Sequence, residues 1–411
     1  MKRYALFHWV IVVLLALSVV SPAAAQPLLA EKEPASDYQT GVTLWRGASG
    51  FSEWALSGTQ LAGEALQMDI TGAVQEQDPY LPGEYYGGSF YNGGSYLVGE
   101  AISPVVTPGF AFTEAIASWN AVTPPGTWVE TLVRAQLGGR WTKWYNLGIW
   151  ASDTSTVARH SVSLQGDADG FVAVDTLVLA KSKVPADSLQ VKVRLFSTDA
   201  AASPSLNSLA LTYSTTASKK PASQPGNPAL WNTLLDLPLC SQMVYPDGGN
   251  VWCSPTSTSM VLGYWGLDSG PCEPRVRAAV EGVYDWRFDG HGNWPFNTAY
   301  AASRGLEGYV VRYPSLAELE PWVAAGIPVI MSIAWSKGEL TNAQIPSSDG
   351  HLLVLVGFDA TGNAVVNDPA AASDAGVRVT YLREELESIW LKNSGGTVYL
   401  IYPPGWATPD L

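Results

Sequence analysis

Charge is scarce in this chain. Asp, Glu, Lys and Arg together make up 15% of its 411 residues, and the basic share is only 23 against 37 acidic side chains. The formal net charge of −14 argues against nucleic acid, or an anionic membrane surface, as the main partner. Three cysteines are too few for a disulfide-built scaffold, and an odd count leaves at least one thiol over. Histidine occurs four times, and neither His nor Cys recurs at the paired spacing of a zinc site. No metal and no cofactor is therefore expected. Beyond the N-terminus no apolar run is long enough to cross a bilayer. What is abundant is glycine (39), tryptophan (17) and tyrosine (18), within an ordinary hydrophobic fraction of 47% that excludes wholesale disorder. Such a length corresponds to about two to three domains.

The first residues set a compartment. Lys2 and Arg3 precede an apolar run from Val10 to Val20, Ser21-Pro22 breaks it, and Ala23-Ala24-Ala25 supplies small residues for cleavage before Gln26. The run falls short of the roughly 20 residues that span a bilayer. Residues 1–25 thus read as a signal peptide and 26–37 as the start of the mature chain. The expected product is secreted, extracellular or in the cell envelope, with no membrane insertion after cleavage.

Composition divides the remainder. Residues 38–213 carry short alternating runs (Thr127–Val133, Phe171–Leu179, Gln190–Phe196) separated by turn clusters such as Gly138-Gly139 and Asp169-Gly170. That pattern predicts an all-β sandwich or jelly roll. A small, polar, proline-containing stretch at 214–230 reads as a linker. From 231 to 405 the periodicity becomes mixed. Helices are predicted over Ser254–Trp265, Glu273–Tyr284, Leu316–Ala325 and Arg383–Leu391, alternating with strands, which makes this an α+β domain; 406–411 is a tail.

Chemistry concentrates in the second domain. Cys253 stands where the loop Asp247-Gly248-Gly249-Asn250 enters a helix whose first turn holds Pro255, a residue suited to that position. The positive end of the helix dipole lowers a thiol's pKa and favours the nucleophilic thiolate. The Cys253 N–H also points where an oxyanion would form, and Gln242, 11 residues upstream, can supply a second donor. A buried cysteine acting as a small hydrophobe is the plainer alternative. For a base, His8 leaves with the signal peptide and His160 belongs to the β-rich half. His351 opens an apolar strand that returns through Val365-Val366-Asn367-Asp368, so the hairpin brings His351 near Asp368. Asp368 would then orient the imidazole toward Cys253.

The block Gln242…Trp252-Cys253-Ser254-Pro255-Thr256-Ser257…Met260, the Gly350-His351 strand and Val366-Asn367-Asp368-Pro369 resemble papain-like cysteine peptidases. They are most similar to the bacteriocin-processing, double-glycine leader peptidases, cysteine-peptidase family thirty-nine. Ser254 departs from the glycine that usually follows the cysteine there. The resemblance covers roughly 231–405. It implies a papain-like fold, Cys253 as nucleophile, His351 as general base and acid, Asp368 as the orienting residue and Gln242 in the oxyanion hole. A peptide or protein would be the substrate. A non-catalytic binding protein on the same fold, and a thiol amidase or acyltransferase, are the alternatives.

Weaker candidates complete the reading. His291 and Trp294, in a loop before a helix, and Trp252 beside the nucleophile are candidates to line a substrate cleft. Cys240 and Cys272 are placed to pair as a disulfide in an oxidising compartment, with a free Cys272 the alternative. Asp167-Ala168-Asp169-Gly170 reads as a hairpin turn rather than a calcium loop. Trp119, Trp128, Trp141, Trp144 and Trp150 read as core packing, the alternative being a platform for a cell-wall or polysaccharide ligand of the β-domain.

Overall fold

The computed structural model describes residues 38–78, 91–180, 185–216 and 224–409. The signal-peptide stretch 1–25, the segment 26–37, residues 217–223 of the connecting segment and the last two residues of the tail lie outside the described residues. The described residues fall in one unit, Ser36–Leu411.

Alternation of apolar and polar residues gives the first half two antiparallel sheets of seven strands each. One runs through Gly170–Ala173, Thr176–Leu179, Glu114–Val122, Ser205–Ser214, Ala65–Met68 and Thr59–Ala62, with Thr40–Arg46 also paired to Ser205–Ser214. The other runs through Tyr145–Trp150, Thr127–Leu137, Ala186–Ser197, Ser95–Ile102 and Ala55–Ser57, with two short strands on its flanks. Ile116 and Leu211 from the first and Val191 and Val193 from the second share one cluster of buried side chains. Trp128 stacks on Phe196 at 5.0 Å in a smaller cluster.

The second half is a third seven-stranded antiparallel sheet with helices around it. Its order is Glu307–Arg312, Thr397–Tyr402, Val329–Trp335, Ser348–Phe358, Ala364–Asn367 and Arg378–Tyr381, with Thr233–Leu234 on Ser348–Phe358. The helices are Cys253–Tyr264, Cys272–Val283, Trp294–Ser303 and Arg383–Ser394, together with a short one at Glu320–Ala324. The helix expected over Leu316–Ala325 is interrupted. A 3-10 turn, Leu316–Glu318, precedes Glu320–Ala324, because Pro321 lacks the N–H that would continue the first turn. The run Phe171–Leu179, which alternates as one strand would, is a hairpin that turns at Val174-Asp175.

The two halves meet over a wide polar and aromatic junction. The Glu307–Arg312 strand donates from Val310 N to Ser118 Oγ (3.0 Å) and from Gly308 N to Asn120 Oδ1 (2.9 Å), while Thr212 Oγ1 donates to Val310 O (2.7 Å). Phe296 packs edge-on to Trp119 and tilted against Trp150, with ring centroids 6.2 and 5.5 Å away. Gly148 permits that approach. A Cβ there would stand 3.1 Å from Phe296 and 3.2 Å from Trp119. The connecting segment is also anchored at its far end, where buried Glu320 accepts from Trp231 Nε1 (2.7 Å) and Asn227 N (2.6 Å).

Candidate active site

Cys253 begins the helix Cys253–Tyr264, whose residues from Ser254 to Leu262 are buried. A helix enclosed on every side needs small side chains that satisfy their own polar groups, and this one is built of Ser and Thr. Ser257 Oγ donates to Leu352 O (3.1 Å), fixing the helix against the strand of His351. Ser254, where the family resemblance would expect glycine, shares a hydrogen bond with Tyr399 OH (3.0 Å).

Strand register brings the remaining groups to the same place. Val354 pairs with Asn367 across the hairpin, so His351 and Asp368 both lie just past the end of that ladder. His351 Nε2 is 2.7 Å from Asp368 Oδ1. Asp368, wholly buried, also accepts from Tyr381 OH (2.6 Å, on Oδ2) and Ala370 N (2.9 Å, on Oδ1). Trp335 places its ring edge-on to His351 with centroids 5.6 Å apart.

With Nε2 engaged, the other ring nitrogen of His351 serves the Cys253 sulfur. Burial alone would raise the Cys253 thiol, but the hydrogen bond and charge of His351 and the N–H groups of Leu352 and Ser254 hold it below the usual thiol range. Burial would lower His351. The Asp368 charge and hydrogen bond, together with the sulfur, overcome that and push it up to about 10. Asp368 is pulled below the usual carboxylate range, its desolvation outweighed by His351, Tyr381 and the Ala370 N–H. Both shifts favour a thiolate beside an imidazolium over a neutral thiol beside a neutral imidazole.

Gln242 lies in a 3-10 turn, Gln242–Val244, whose first N–H donates to Pro369 O (2.8 Å), next to Asp368. Its Nε2 gives one proton to Gly249 O (2.7 Å), which leaves the second for another acceptor. Gln242, Cys253 and His351 face one cleft of about 860 Å³. Its apolar surface comes from Met243, Val251, Ile333, Ile345 and Leu352, and its carboxylates from Asp289 and Asp349. Gly350 opens onto this space, and a Cβ there would meet nothing within 4 Å.

His291 and Trp294 line the same cleft. Trp252 does not, contrary to expectation. It is 7% exposed and held by Tyr245 (5.8 Å between centroids) and the Arg277 guanidinium (5.8 Å), so it backs His291 from behind. Cys240 and Cys272 are joined (S–S 1.99 Å), and Cys253 is the free thiol. Asp167 accepts from the Asp169 and Gly170 N–H groups, while Asp169 pairs with Arg140 at 2.7 Å, so both carboxylates are occupied by the protein's own donors. Among the tryptophans, Trp119, Trp128 and Trp150 are fully buried; Trp141 and Trp144 are half-buried around the Arg134 guanidinium, 4.4 Å from each ring. Among the described residues no helix is long and apolar enough to cross a membrane.

Sequence reasoning missed two residues at the site, Tyr381 and Trp335. Tyr381 ends the strand Arg378–Tyr381, and a phenol beside the returning arm of a His–Asp hairpin was the signal available.

Two family models match the chain. Residues 41–214 match the Peptidase C39 N-terminal domain, and residues 234–398 match the Peptidase_C39 like family. Among solved structures, a candidate C39-like peptidase from Bacillus anthracis is 20% identical; the match covers 41% of this chain and 96% of that one, with a TM-score of 0.30. A structure of carbohydrate-binding modules from the beta-sandwich superfamily is 9% identical, covering 44% of this chain and 55% of that one, with a TM-score of 0.17. No curated protein matches.

Proposed function

Because the chain belongs to the C39 peptidase-like family, we propose that it is an exported cysteine peptidase that cleaves peptide bonds through Cys253, His351 and Asp368. The observation that carries this reading is the continuous relay from Tyr381 through Asp368 and His351 to a free thiol at a helix N-terminus, open to a cleft. A helix bearing the nucleophile, packed on an antiparallel sheet bearing the base, supports a papain-like arrangement. The two sheets of the first half, sharing one core, support a β-sandwich.

The Cys253 thiolate attacks the scissile carbonyl carbon, forming the C–S bond as the carbonyl π pair moves to oxygen. The oxyanion is held by the Cys253 N–H and the unengaged proton of Gln242 Nε2. Collapse breaks the C–N bond, and the His351 nitrogen facing Cys253 gives its proton to the departing amine. His351, now neutral, takes a proton from water as the hydroxide adds to the thioester. Expulsion of the thiolate releases the acid and restores the imidazolium. Asp368 keeps the ring oriented and balances its charge throughout, itself kept ionised by Tyr381 and the Ala370 N–H.

The test is carboxamidomethylation of the full mature chain with iodoacetamide at neutral pH, followed by mass mapping, alongside peptide-library cleavage by wild type and Cys253→Ala. Faster modification of Cys253 than of a free thiol, with cleavage lost in Cys253→Ala, is expected. A thiol no faster than glutathione, or cleavage that survives the substitution, would sink the reading.

A further inference from the structure

One side of the cleft is formed by Tyr284, Phe288, Asp289, His291 and Trp294. The first four lie on the loop between two helices, Cys272–Val283 and Trp294–Ser303, and Trp294 opens the second of these. From its own side the loop is held by the paired backbones of Asp285 and Gly290, by Asn293 Nδ2 donating to Asp285 Oδ2 (2.9 Å), by Tyr284 OH donating to Asp289 and by Asn297 Nδ2 donating to His291 O (2.9 Å). A second set of contacts reaches it from the first half of the chain, more than a hundred residues away in sequence.

Arg159 anchors the incoming end. It is 4% exposed, with its guanidinium over the Trp150 ring at 5.2 Å. It donates to Glu281 O (2.7 Å) and Tyr284 O (3.1 Å), two carbonyls at the C-terminal end of the first helix. A cation there satisfies orphan acceptors and complements the helix dipole. Asp175 anchors the outgoing end. Its Oδ2 accepts from Trp294 N (2.7 Å), the first helical N–H of the second helix, a bond that favours the carboxylate against the burial that pushes it up to about 7. Asp175 gets there through a turn in which Val174 adopts a φ of +60°, a costly conformation for a β-branched residue. Between these anchors, Asp285 Oδ1 accepts from Ser161 N (2.9 Å) and Ser161 Oγ (3.2 Å) as well as from Arg287 N and Phe288 N within its own loop. Trp286 N donates to Arg159 O (3.2 Å) and Arg287 Nε to Ser163 Oγ (2.6 Å).

From this we infer that the N-terminal domain positions the substrate-binding wall of the cleft, with Arg159 and Asp175 as its positioning residues. Neither touches the reacting atoms. Both fix the two helix ends from which Tyr284, His291 and Trp294 project. The inference rests on the peptidase reading for what the wall binds, while the positioning itself stands on the contacts above. Substrate affinity then depends on the first half of the chain, whereas the thiolate, held by the third sheet, does not.

Three measurements on the full mature chain test this, using wild type, Arg159→Ala, Arg159→Lys and Asp175→Asn. They are hydrogen exchange at the Trp286–Phe288 amides, KM and kcat on an internally quenched peptide selected from a library on the wild type, and the iodoacetamide rate of Cys253. In Arg159→Ala we expect faster exchange at those amides and a KM raised about tenfold, as loss of a charge-assisted hydrogen bond implies. Iodoacetamide has no side chains to seat, so its rate and kcat should stay within about twofold of wild type. Arg159→Lys should recover part of the KM. Asp175→Asn, which keeps an acceptor in place of a carboxyl that is only partly charged near neutral pH, gives the smaller effect and replaces Arg159→Ala if that variant does not fold. Unchanged exchange overturns the inference. So does a KM that stays put while the loop loosens, or an alkylation rate that falls together with KM, since that is generic damage. A wild type that cleaves no peptide and alkylates slowly refutes the peptidase reading, and the exchange measurement still decides the positioning.

Discussion

Each half of the molecule buries a carboxylate against a tyrosine and a cation, yet only one of the two arrangements can do chemistry. In the N-terminal half, Glu130 is 1% exposed and accepts from Tyr91 OH (3.0 Å), Arg194 (3.0 Å) and the Asn146 amide. Around it stand Tyr91, Tyr96, Trp128 and Phe196. In the C-terminal half, Asp368 accepts from Tyr381 OH, His351 and Ala370 N. The donors are matched in kind; the cations differ. Arg194 is permanently charged and committed, meeting Glu76 and Glu100 as well. His351 can give up its proton, and its second nitrogen faces a thiol and a cleft. The lesson is that burial and satisfaction of a carboxylate make a strut, and that the proposed chemistry needs in addition a titratable partner with an open side.

Swapping the fates of the two clusters is the sharpest test. His351→Ala should lower kcat/KM by about four orders of magnitude or more, the scale for losing a triad member, while the unfolding midpoint in urea moves little. Glu130→Ala should do the reverse. Leaving Tyr91 OH and the Asn146 amide without their buried acceptor, and Arg194 with two carboxylates in place of three, costs about 2–4 kcal/mol, read as a lowered urea midpoint, with kcat/KM of the folded fraction unchanged. An activity loss in Glu130→Ala beyond its unfolded fraction would erase the distinction.

Titration sharpens the contrast further. His351 is raised from its ordinary value near 6.5 to about 10 in the folded chain. A group raised by folding contributes stability that is fully present below its unfolded value and is lost as pH rises through the folded one. Stability should therefore decline as pH rises toward about 10, most clearly in Cys253→Ala, where the lowered thiol no longer contributes the opposite slope below its ordinary value, and adding His351→Gln should flatten that part of the profile in urea titrations. Cys253, held low by the same imidazolium, should be alkylated with an apparent midpoint below that of a free thiol, and His351→Gln should move the midpoint upward.

How much of this was legible in the residues depends on distance along the chain. Cys253 could be found because its signals are adjacent: a glycine loop before it and Pro255 after it. His351 and Asp368 could be paired because a hairpin of two apolar runs with a short turn leaves little freedom, and their 17-residue separation spans it. Trp252 misled because adjacency to a nucleophile says nothing about which way a ring points from a helix N-cap. Tyr381 was hidden for a related reason. Shifting a strand by one residue turns every side chain to the other face, so an unaligned sequence cannot say whether a terminal tyrosine points inward. The anchoring of the 284–294 loop was out of reach altogether, because Arg159 and Asp175 act across more than a hundred residues through packing that no local pattern encodes.

The smallest expected effect asks whether Tyr381 belongs to the chemistry or only to the core. Tyr381→Phe keeps the ring in place and removes the one proton donated to Asp368 Oδ2. If the phenol serves only as packing, the change resembles the loss of one buried hydrogen bond, about 1 kcal/mol of stability, and leaves the pH profile alone. If it holds the carboxylate ionised behind His351, Asp368 rises, the imidazolium is less favoured and the thiol rises with it. In that case kcat falls about tenfold, equivalent to about 1.4 kcal/mol, and the acid limb of kcat/KM shifts to higher pH. The iodoacetamide midpoint of Cys253 should move the same way. Tyr91→Phe beside Glu130 is the matched control, since it removes the corresponding phenol from the strut. It should cost stability and leave both titrations where they are, because Arg194 has no proton to trade.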